Sequence, residues 1–184
     1  ILGESATARE GVELVGRLVE QYGACSCDQI AISDNTESWI VTVLSGHQWI
    51  AIKLPGDKAS VNPNLSNLRF SADLDNPEVC LHSDTVVSMP QEKGFLKTFA
   101  DGTADDAQSA SSLTRLAQGR EYFGAPLEEG TYTFDASAGG VTKIDTPTLF
   151  FTPGKSNMST FEIIRALGTR GEGTKFDANV YGFY

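Results

Sequence analysis

The sequence predicts an α+β fold in which antiparallel sheets form the inner layers of an αββα sandwich. Two observations lead to this fold class. An amphipathic helix follows a capping box near the N-terminus, and the strands of a later hairpin, within residues 38–54, are apolar on both faces. A surface hairpin would alternate apolar and polar residues, whereas a sheet between helices and a second sheet is apolar on both sides. We therefore expect the hairpin to lie in a central layer.

The first predicted helix begins after Thr7. Thr7 and Glu10 have the spacing of a capping box, which contributes about 1 kcal/mol at the cap. Gly23 has the position of a C-terminal cap. Between them, apolar residues recur every three or four positions, as is typical of a helix with one buried face: Val12, Val15, Leu18, Val19 and Tyr22.

Three strands are predicted after this helix. Residues 29–33 form a short strand, and residues 38–44 and 49–54 form the two arms of a hairpin. The first arm is apolar on both sides, with Trp39, Val41 and Val43 on one face and Ile40 and Leu44 on the other. Both faces of this hairpin must therefore be covered.

The pattern is looser in the second half of the chain. We expect a short helix over residues 84–89 that ends at Pro90, and a longer helix over residues 113–122. Residues 132–134 and 149–152 are predicted to be short strands joined by a Gly-containing linker.

A last helix is predicted after a second capping box, formed by Ser159 and Glu162. It ends at Gly168. Its apolar residues have helical spacing, and we expect them to point inward: Phe161, Ile164 and Leu167.

The composition favours a soluble globular domain. A chain of 184 residues can bury one sizeable core, so we expect a single domain over residues 1–184. The net charge of −10 argues against a nucleic-acid partner, because phosphate binding relies on clustered Lys and Arg, and these residues are scattered here. No apolar run approaches the roughly 20 residues that span a bilayer, so we expect no membrane partner. Since the sequence lacks an initiator Met, we expect a fragment of a longer protein.

The cysteines suggest a reducing compartment. Cys25, Cys27 and Cys80 cannot all pair with one another, and a bridge between residues two apart is strained. We therefore expect free thiols and a cytoplasmic location. An alternative is a zinc-binding module in which these three cysteines and His82 form a tetrahedral site.

Three stretches of the chain carry a resemblance to a known family. The first is residues 7–13, TAREGVE, continuing to residues 20–23, EQYG. The second consists of ESW at 37–39, GHQWIA at 46–51 and PGD at 55–57. The third consists of TRLAQGR at 114–120, STFEIIR at 159–165 and EGTKFD at 172–177. No single piece is specific, but their order over most of the chain resembles the cysteine dipeptidases of the dipeptidase A type, which are N-terminal-nucleophile hydrolases.

This resemblance implies a broad-specificity cysteine dipeptidase with an αββα fold and a dipeptide as substrate. The implied thiolate attacks the peptide carbonyl, and the α-amino group of the same residue moves the proton. No cofactor or metal is needed. Because the chain opens with Ile1, we expect the nucleophile to lie upstream, with this chain a central, incomplete and inactive fragment whose partner is the rest of the parent chain. A homo-oligomer is left open.

The resemblance also places one catalytic group inside this chain. The family carries an Asn after the strand that follows its Pro-Asp-Asp hairpin, and counting forward from Pro55 puts Asn64 at that position as an oxyanion donor. Asn62 is the alternative if the register slips, and Asn67 begins a second stretch where the motif could restart. The usual Asn-Gln pair is absent, since Leu65 follows Asn64. A plain polar turn is the other interpretation.

A second functional class remains open from the sequence. The missing nucleophile and the strands that are apolar on both faces also suit a noncatalytic binding or assembly domain, because such strands tolerate a partner layer. The oligomeric state would separate the two classes.

Overall fold

The structure of this chain is a computed structural model that describes residues 3–64, 72–94, 109–145 and 149–181. These residues form an α+β fold with antiparallel sheets, which confirms the predicted class. They divide into two compact units. Unit 1 contains the described residues up to 56 together with 72–94, and unit 2 contains 57–64, 109–145 and 149–181. The single domain over residues 1–184 stays a prediction.

Unit 1 is a four-stranded antiparallel sheet with a helix on it. Its strands pair in the order β1-β2-β3-β4. Its elements are α1 (Ala8–Tyr22), β1 (Asp28–Ser33), β2 (Ser38–Ser45), β3 (Gln48–Lys53), β4 (Cys80–His82) and α2 (Ser88–Glu92). The predicted hairpin is therefore the centre of this sheet.

Helix α1 begins and ends as predicted. The Thr7 hydroxyl accepts from the N–H of Glu10 at 3.2 Å, and the Glu10 carboxylate accepts from the N–H of Thr7 at 3.3 Å, which completes the capping box. At the other end Gly23 has a φ of 74°, a left-handed value that favours glycine.

The core of unit 1 lies between α1 and one face of the sheet. Helix α1 comes so close that a Cβ on Gly16 would lie 2.2 Å from the Trp49 ring. The opposite face of β3 is buried as well, since Ile50 and Ile52 are each 2% exposed. Both faces of this strand are thus covered, as predicted for an inner layer. The core cluster contains Ala8, Val12, Val15, Val19, Trp39, Val41, Val43, Trp49 and Ala51.

The short helix of unit 1 corrects one prediction. It was expected over residues 84–89 with Pro90 as its end, but α2 spans Ser88–Glu92 and contains Pro90. Residues 84–87 form a turn. Pro90 lies in the first turn of α2, where a backbone N–H has no intrahelical acceptor, so its missing donor costs nothing there.

Unit 2 contains three helices and a two-stranded antiparallel sheet among its described residues. These elements are α3 (Ala110–Tyr122), β5 (Tyr132–Asp135), β6 (Gly140–Ile144), α4 (Thr160–Ala166) and α5 (Ala178–Tyr181). Helix α3 begins earlier than predicted because the Ser109 hydroxyl caps it, accepting from the N–H of Ser112 at 3.2 Å. The core cluster contains Leu113, Leu116, Ala117, Leu127, Val141, Ile144 and Phe176.

The strand pairing in unit 2 differs from the prediction. Strand β5 was expected over residues 132–134 and is present, but its partner is β6, in the segment predicted to be a linker. The predicted strand over residues 149–152 supplies only an isolated bridge, between Ala59 and Phe151. A turn that ends at Gly139, with a left-handed φ of 88°, returns the chain directly onto β5.

Helix α4 confirms its cap and contradicts its orientation. Ser159 and Glu162 form the predicted capping box. Its apolar residues were expected to point inward, but Phe161 is 67%, Ile164 60% and Leu167 89% exposed. Helical spacing identifies an apolar face, but it does not supply the element that covers that face. None of the described helices is long and apolar enough to cross a bilayer.

Asp34 gives a pH-dependent stabilisation of the start of α1. Its carboxylate accepts from the N–H of Ala8 at 2.7 Å, and from the N–H groups of Thr36 at 2.6 Å and Glu37 at 2.9 Å. The bond from Ala8 contributes most, and together these bonds hold the pKa of Asp34 far below its ordinary value. A carboxylate with a lowered native pKa stabilises the fold above its unfolded pKa of about 3.9, and that contribution is lost as the pH falls toward the native pKa.

We expect Asp34→Asn to be less stable than the unsubstituted chain at pH 7, with a difference in unfolding free energy that shrinks as the pH falls below about 4. Urea unfolding of both proteins between pH 7 and about 3 measures this. The matched control is Asp84→Asn, because the exposed Asp84 accepts no hydrogen bond in the described part of the chain. A difference that stayed constant over this pH range would contradict the assignment.

Candidate functional site

A groove of about 620 Å³ opens on unit 2. Its wall is formed by the first half of α3, the turn before β6 and the segment that follows α4. This volume is within the range of small-ligand sites, about 300–1,000 Å³. We call it the arginine groove and define it by six of its lining residues: Ala110, Ser111, Arg115, Gln118, Thr169 and Arg170.

Buried polar contacts hold the walls of the arginine groove in place. Gln118 is 5% exposed, and its amide nitrogen donates to the carbonyls of Arg170 at 3.0 Å and Phe176 at 2.8 Å. On the other side, the Thr114 hydroxyl accepts from the N–H of Val141 at 2.8 Å, which fixes α3 against β6. Gly171 has a φ of 73°, and a Cβ there would lie 2.8 Å from a backbone oxygen, so only glycine fits the turn after Arg170.

The charge of the arginine groove is opposite to that of the chain. Among its described lining residues, the charged ones are Arg115 and Arg170, although the chain carries 24 acidic residues against 14 basic ones. Neither arginine forms an ion pair in the described part of the chain. The adjacent Glu172 carboxylate accepts instead from the N–H of Arg170 at 3.1 Å and the hydroxyl of Thr169 at 3.2 Å. The groove is therefore a cationic recess on an acidic molecule.

Asn64, the predicted oxyanion donor, contacts this groove through Arg115. Its amide oxygen accepts from both terminal nitrogens of the Arg115 guanidinium, at 3.1 and 3.2 Å. A guanidinium has only donors, so the oxygen of the Asn64 amide must face it, and the amide NH₂ is directed elsewhere. Within the described residues no acceptor takes a hydrogen from this NH₂. Asn64 is thus held at a fixed orientation and carries a donor that no described residue engages.

Asn62, the alternative donor, has a different environment. Its amide nitrogen donates to the Ser60 hydroxyl at 2.7 Å, and that hydroxyl donates to the carbonyl of Leu149 at 2.7 Å. This chain of bonds is what a polar turn provides. Asn67 lies outside the described residues.

Two of the three cysteines, Cys27 and Cys80, lie in environments that make them poor nucleophiles. Burial, with a smaller contribution from the Asp73 carboxylate, raises the pKa of Cys80 to about 11. Partial burial of its sulfur, and then the Asp28 carboxylate, also raise the pKa of Cys27. A raised pKa keeps each group as the thiol at neutral pH, whereas the thiolate is the reactive form.

The structure contradicts the zinc alternative. Cys25 and Cys27 are exposed and Cys80 is buried. In the described part of the chain, no three His, Cys, Asp or Glu side chains lie close enough to hold a metal ion. Both ring nitrogens of His82 already face backbone carbonyls, those of Ser83 at 2.9 Å and Leu74 at 3.2 Å. A zinc module built from these four residues is therefore wrong.

Sequence reasoning missed the two arginines of the groove. Arg115 lies in a stretch that carries the family resemblance, but it was not selected as a functional residue, and Arg170 belongs to no motif. Each is one of many scattered basic residues in the sequence. Only the packing of the segment after α4 against α3, through Gln118, brings them to one groove.

Comparison with known proteins gives the family. The model of peptidase family C69 matches residues 1–124, which is more than half of the chain. Similar curated proteins include a probable dipeptidase from Salmonella dublin, 37% identical over 95 residues that cover 52% of this chain and 22% of that protein. A probable dipeptidase B from Streptococcus pyogenes serotype M1 is 36% identical over 109 residues, 59% of this chain and 22% of that protein.

The chain thus spans about a fifth of the length of the curated relatives it matches. The match covers the first two of the three stretches that resemble the dipeptidases, which lie in α1 and around the hairpin. It also covers the start of the third stretch, in α3. The N-terminal-nucleophile-like fold of the matched family agrees with the α+β class found here. The chain belongs to peptidase family C69.

Proposed function

We propose that this chain is the central fragment of a cysteine dipeptidase, a thiol protease that hydrolyses dipeptides with an N-terminal cysteine located outside these 184 residues. The observation that carries the proposal is the match to peptidase family C69 over residues 1–124, together with relatives that are named probable dipeptidases. A single domain over residues 1–184 and the rest of the parent chain as its partner are parts of the same proposal.

In the proposed reaction, the cysteine thiolate adds to the carbonyl carbon of the dipeptide. The carbonyl oxygen, on which negative charge develops, accepts a hydrogen bond from the NH₂ of Asn64. The α-amino group of the nucleophile has taken the thiol proton and gives it to the amide nitrogen as the peptide C–N bond breaks, which releases the amine and leaves a thioester on the cysteine. Its ordinary pKa of about 7.7–8.0 suits this role. Water then hydrolyses the thioester.

Two features of the chain support a nucleophile from elsewhere. The pKa values of Cys27 and Cys80 are raised, so both remain thiols at neutral pH. Cys25 is exposed, but it is not part of the arginine groove or of the contacts around Asn64. The three thiols are unpaired, which supports the proposed cytoplasmic location because free thiols persist in reducing compartments.

The test compares dipeptide hydrolysis by the full-length parent with hydrolysis by its variant in which the mature N-terminal Cys is changed to Ala. We expect the variant to lose about 10⁴-fold or more in kcat, because the nucleophile itself is removed. The matched control is Cys25→Ala in the same protein, which should leave the rate unchanged. The 184-residue chain alone should show no turnover. Equal rates for the parent and the N-terminal variant would end the proposal.

A noncatalytic assembly domain is the second candidate, and helix α4 favours it. Phe161, Ile163, Ile164 and Leu167 leave an apolar face of this helix exposed. Apolar patches of this kind are typical of interaction surfaces. Sedimentation of the chain distinguishes the two candidates: a dimer that dissociates on Leu167→Glu favours assembly, and a monomer argues against it.

A further inference from the structure

The arginine groove has the charge and size to bind a small anion. We propose that it binds the C-terminal carboxylate of a dipeptide substrate, with Arg170 as the principal contact and Arg115 as a fixed neighbouring charge. This inference rests on the proposed function and names how the substrate would be recognised.

The two arginines suit different parts of this task. Arg115 is already held in place, because its guanidinium donates to Asn64, to the Ser112 hydroxyl at 3.2 Å and to the Ser111 carbonyl at 3.4 Å. These contacts use four of the five N–H groups of its guanidinium and leave one over. The guanidinium of Arg170 donates to no acceptor in the described part of the chain, so its planar fork is available for a bidentate carboxylate.

The first turn of α3 adds to the attraction. The N–H groups of Ala110 and Ser111 have no acceptor among the described residues, and both residues line the groove. The first N–H groups of a helix carry partial positive charge and favour an anion. The residues that line the groove thus carry several donors, and none of its described lining residues is a carboxylate.

The contact between Asn64 and Arg115 connects the proposed anion site to the proposed oxyanion donor. Asn64 contacts Arg115, so the proposed oxyanion donor and the carboxylate site are adjacent. In a dipeptide, the peptide carbonyl and the C-terminal carboxylate are separated only by the amide nitrogen and one α-carbon. A carboxylate site next to the oxyanion donor would favour substrates with a free carboxylate one residue beyond the bond that is cleaved, and it would disfavour longer peptides and blocked ends.

Binding to the unmodified chain tests the proposal without any catalysis. The probes are Ala-Ala, Ala-Ala amide and acetate, titrated into ¹⁵N-labelled protein and followed by NMR. We expect Ala-Ala to shift the amide signals of Ala110, Ser111 and Thr169. The amide should bind at least about tenfold more weakly, which corresponds to the loss of about one charge-assisted pair.

Two variants separate the groove from general electrostatics. Arg170→Gln should weaken Ala-Ala binding by about tenfold or more, since it removes the bidentate contact. The control is Lys155→Gln, which removes a positive charge that lies over the Tyr122 ring, away from the groove, and it should change the dissociation constant less than about twofold. If Arg170→Gln does not give a folded spectrum, the comparison of Ala-Ala with its amide on the unsubstituted chain decides.

Several results would overturn the proposal. These are equal affinity for Ala-Ala and its amide, binding that Arg170→Gln leaves unchanged, acetate bound as tightly as Ala-Ala, or no binding of Ala-Ala at millimolar concentration. A failure of this proposal can be distinguished from a failure of the proposed dipeptidase function. Equal hydrolysis of Ala-Ala and its amide by the full-length parent would refute the carboxylate site and keep the dipeptidase, whereas specific binding without hydrolysis by the parent would do the reverse.

Discussion

Replacing Asn64 with alanine in the full-length parent is expected to lower kcat for dipeptide hydrolysis by about 10²–10³-fold, or about 3 kcal/mol, with little change in KM. The reason is geometric. The Asn64 amide is oriented by two bonds from Arg115, and no described residue accepts from its NH₂, which can donate to the oxygen on which charge develops in the transition state. An interaction that exists only in the transition state affects kcat rather than KM.

The matched control is Asn62→Ala. Asn62 is also an exposed amide close in sequence, but its NH₂ donates to Ser60. We expect kcat to change less than about threefold in this variant, as for an ordinary surface substitution. Steady-state kinetics of both variants with one dipeptide measure the difference. A larger loss for Asn62→Ala than for Asn64→Ala would reverse the assignment of the oxyanion donor.

Trp39→Ala is expected to destabilise the chain by about 3–5 kcal/mol, the range for removing a large buried ring. Trp39 is 0% exposed and belongs to the cluster between α1 and the sheet of unit 1. Its ring also lies under two cations, with Arg9 at 5.9 Å and Lys53 at 5.8 Å from its centroid. The variant would leave a cavity that the surrounding helix and strands cannot fill without moving.

Denaturant unfolding measures this loss. It is followed by backbone circular dichroism rather than by tryptophan fluorescence, because the variant lacks one of the two tryptophans. Trp39→Phe keeps most of the ring and should cost about 1–2 kcal/mol. Tyr22 lies near the end of α1 and is 72% exposed, so Tyr22→Ala should cost less than about 0.5 kcal/mol beyond helix propensity. A cost for Trp39→Ala no larger than that for Tyr22→Ala would show that this cluster does not stabilise the fold.

The elements that the sequence predicted well are those with local signals. The capping boxes at Thr7 and Ser159 involve residues only three positions apart, and both are present in the structure. The hairpin was predicted from two largely apolar runs with turn residues between them, and β2 and β3 agree with it to within a residue or two. The family resemblance depended on the same stretches and is confirmed.

The elements that were missed depend on what packs against them. Strand β6 looked like a linker because it begins at the second of two adjacent glycines and contains the polar residues Thr142 and Lys143, which are exposed. The predicted inward orientation of the apolar face of α4 was wrong because an apolar helical face is equally compatible with burial and with exposure. Strand β6 is decided by its pairing with β5. Helix α4 is decided by whether another segment covers it, and its apolar residues are exposed in the described chain.

The sequence by itself determined where α1 and the central hairpin lie and that both faces of this hairpin must be covered, and its family resemblance made Asn64 a candidate donor. Only the tertiary structure decided that Arg115 orients Asn64, that Arg170 joins Arg115 in one groove, and that α4 leaves its apolar residues exposed. The physical reason is range. Caps and periodicity act between residues a few positions apart, whereas burial and the clustering of charge depend on which distant segments come together.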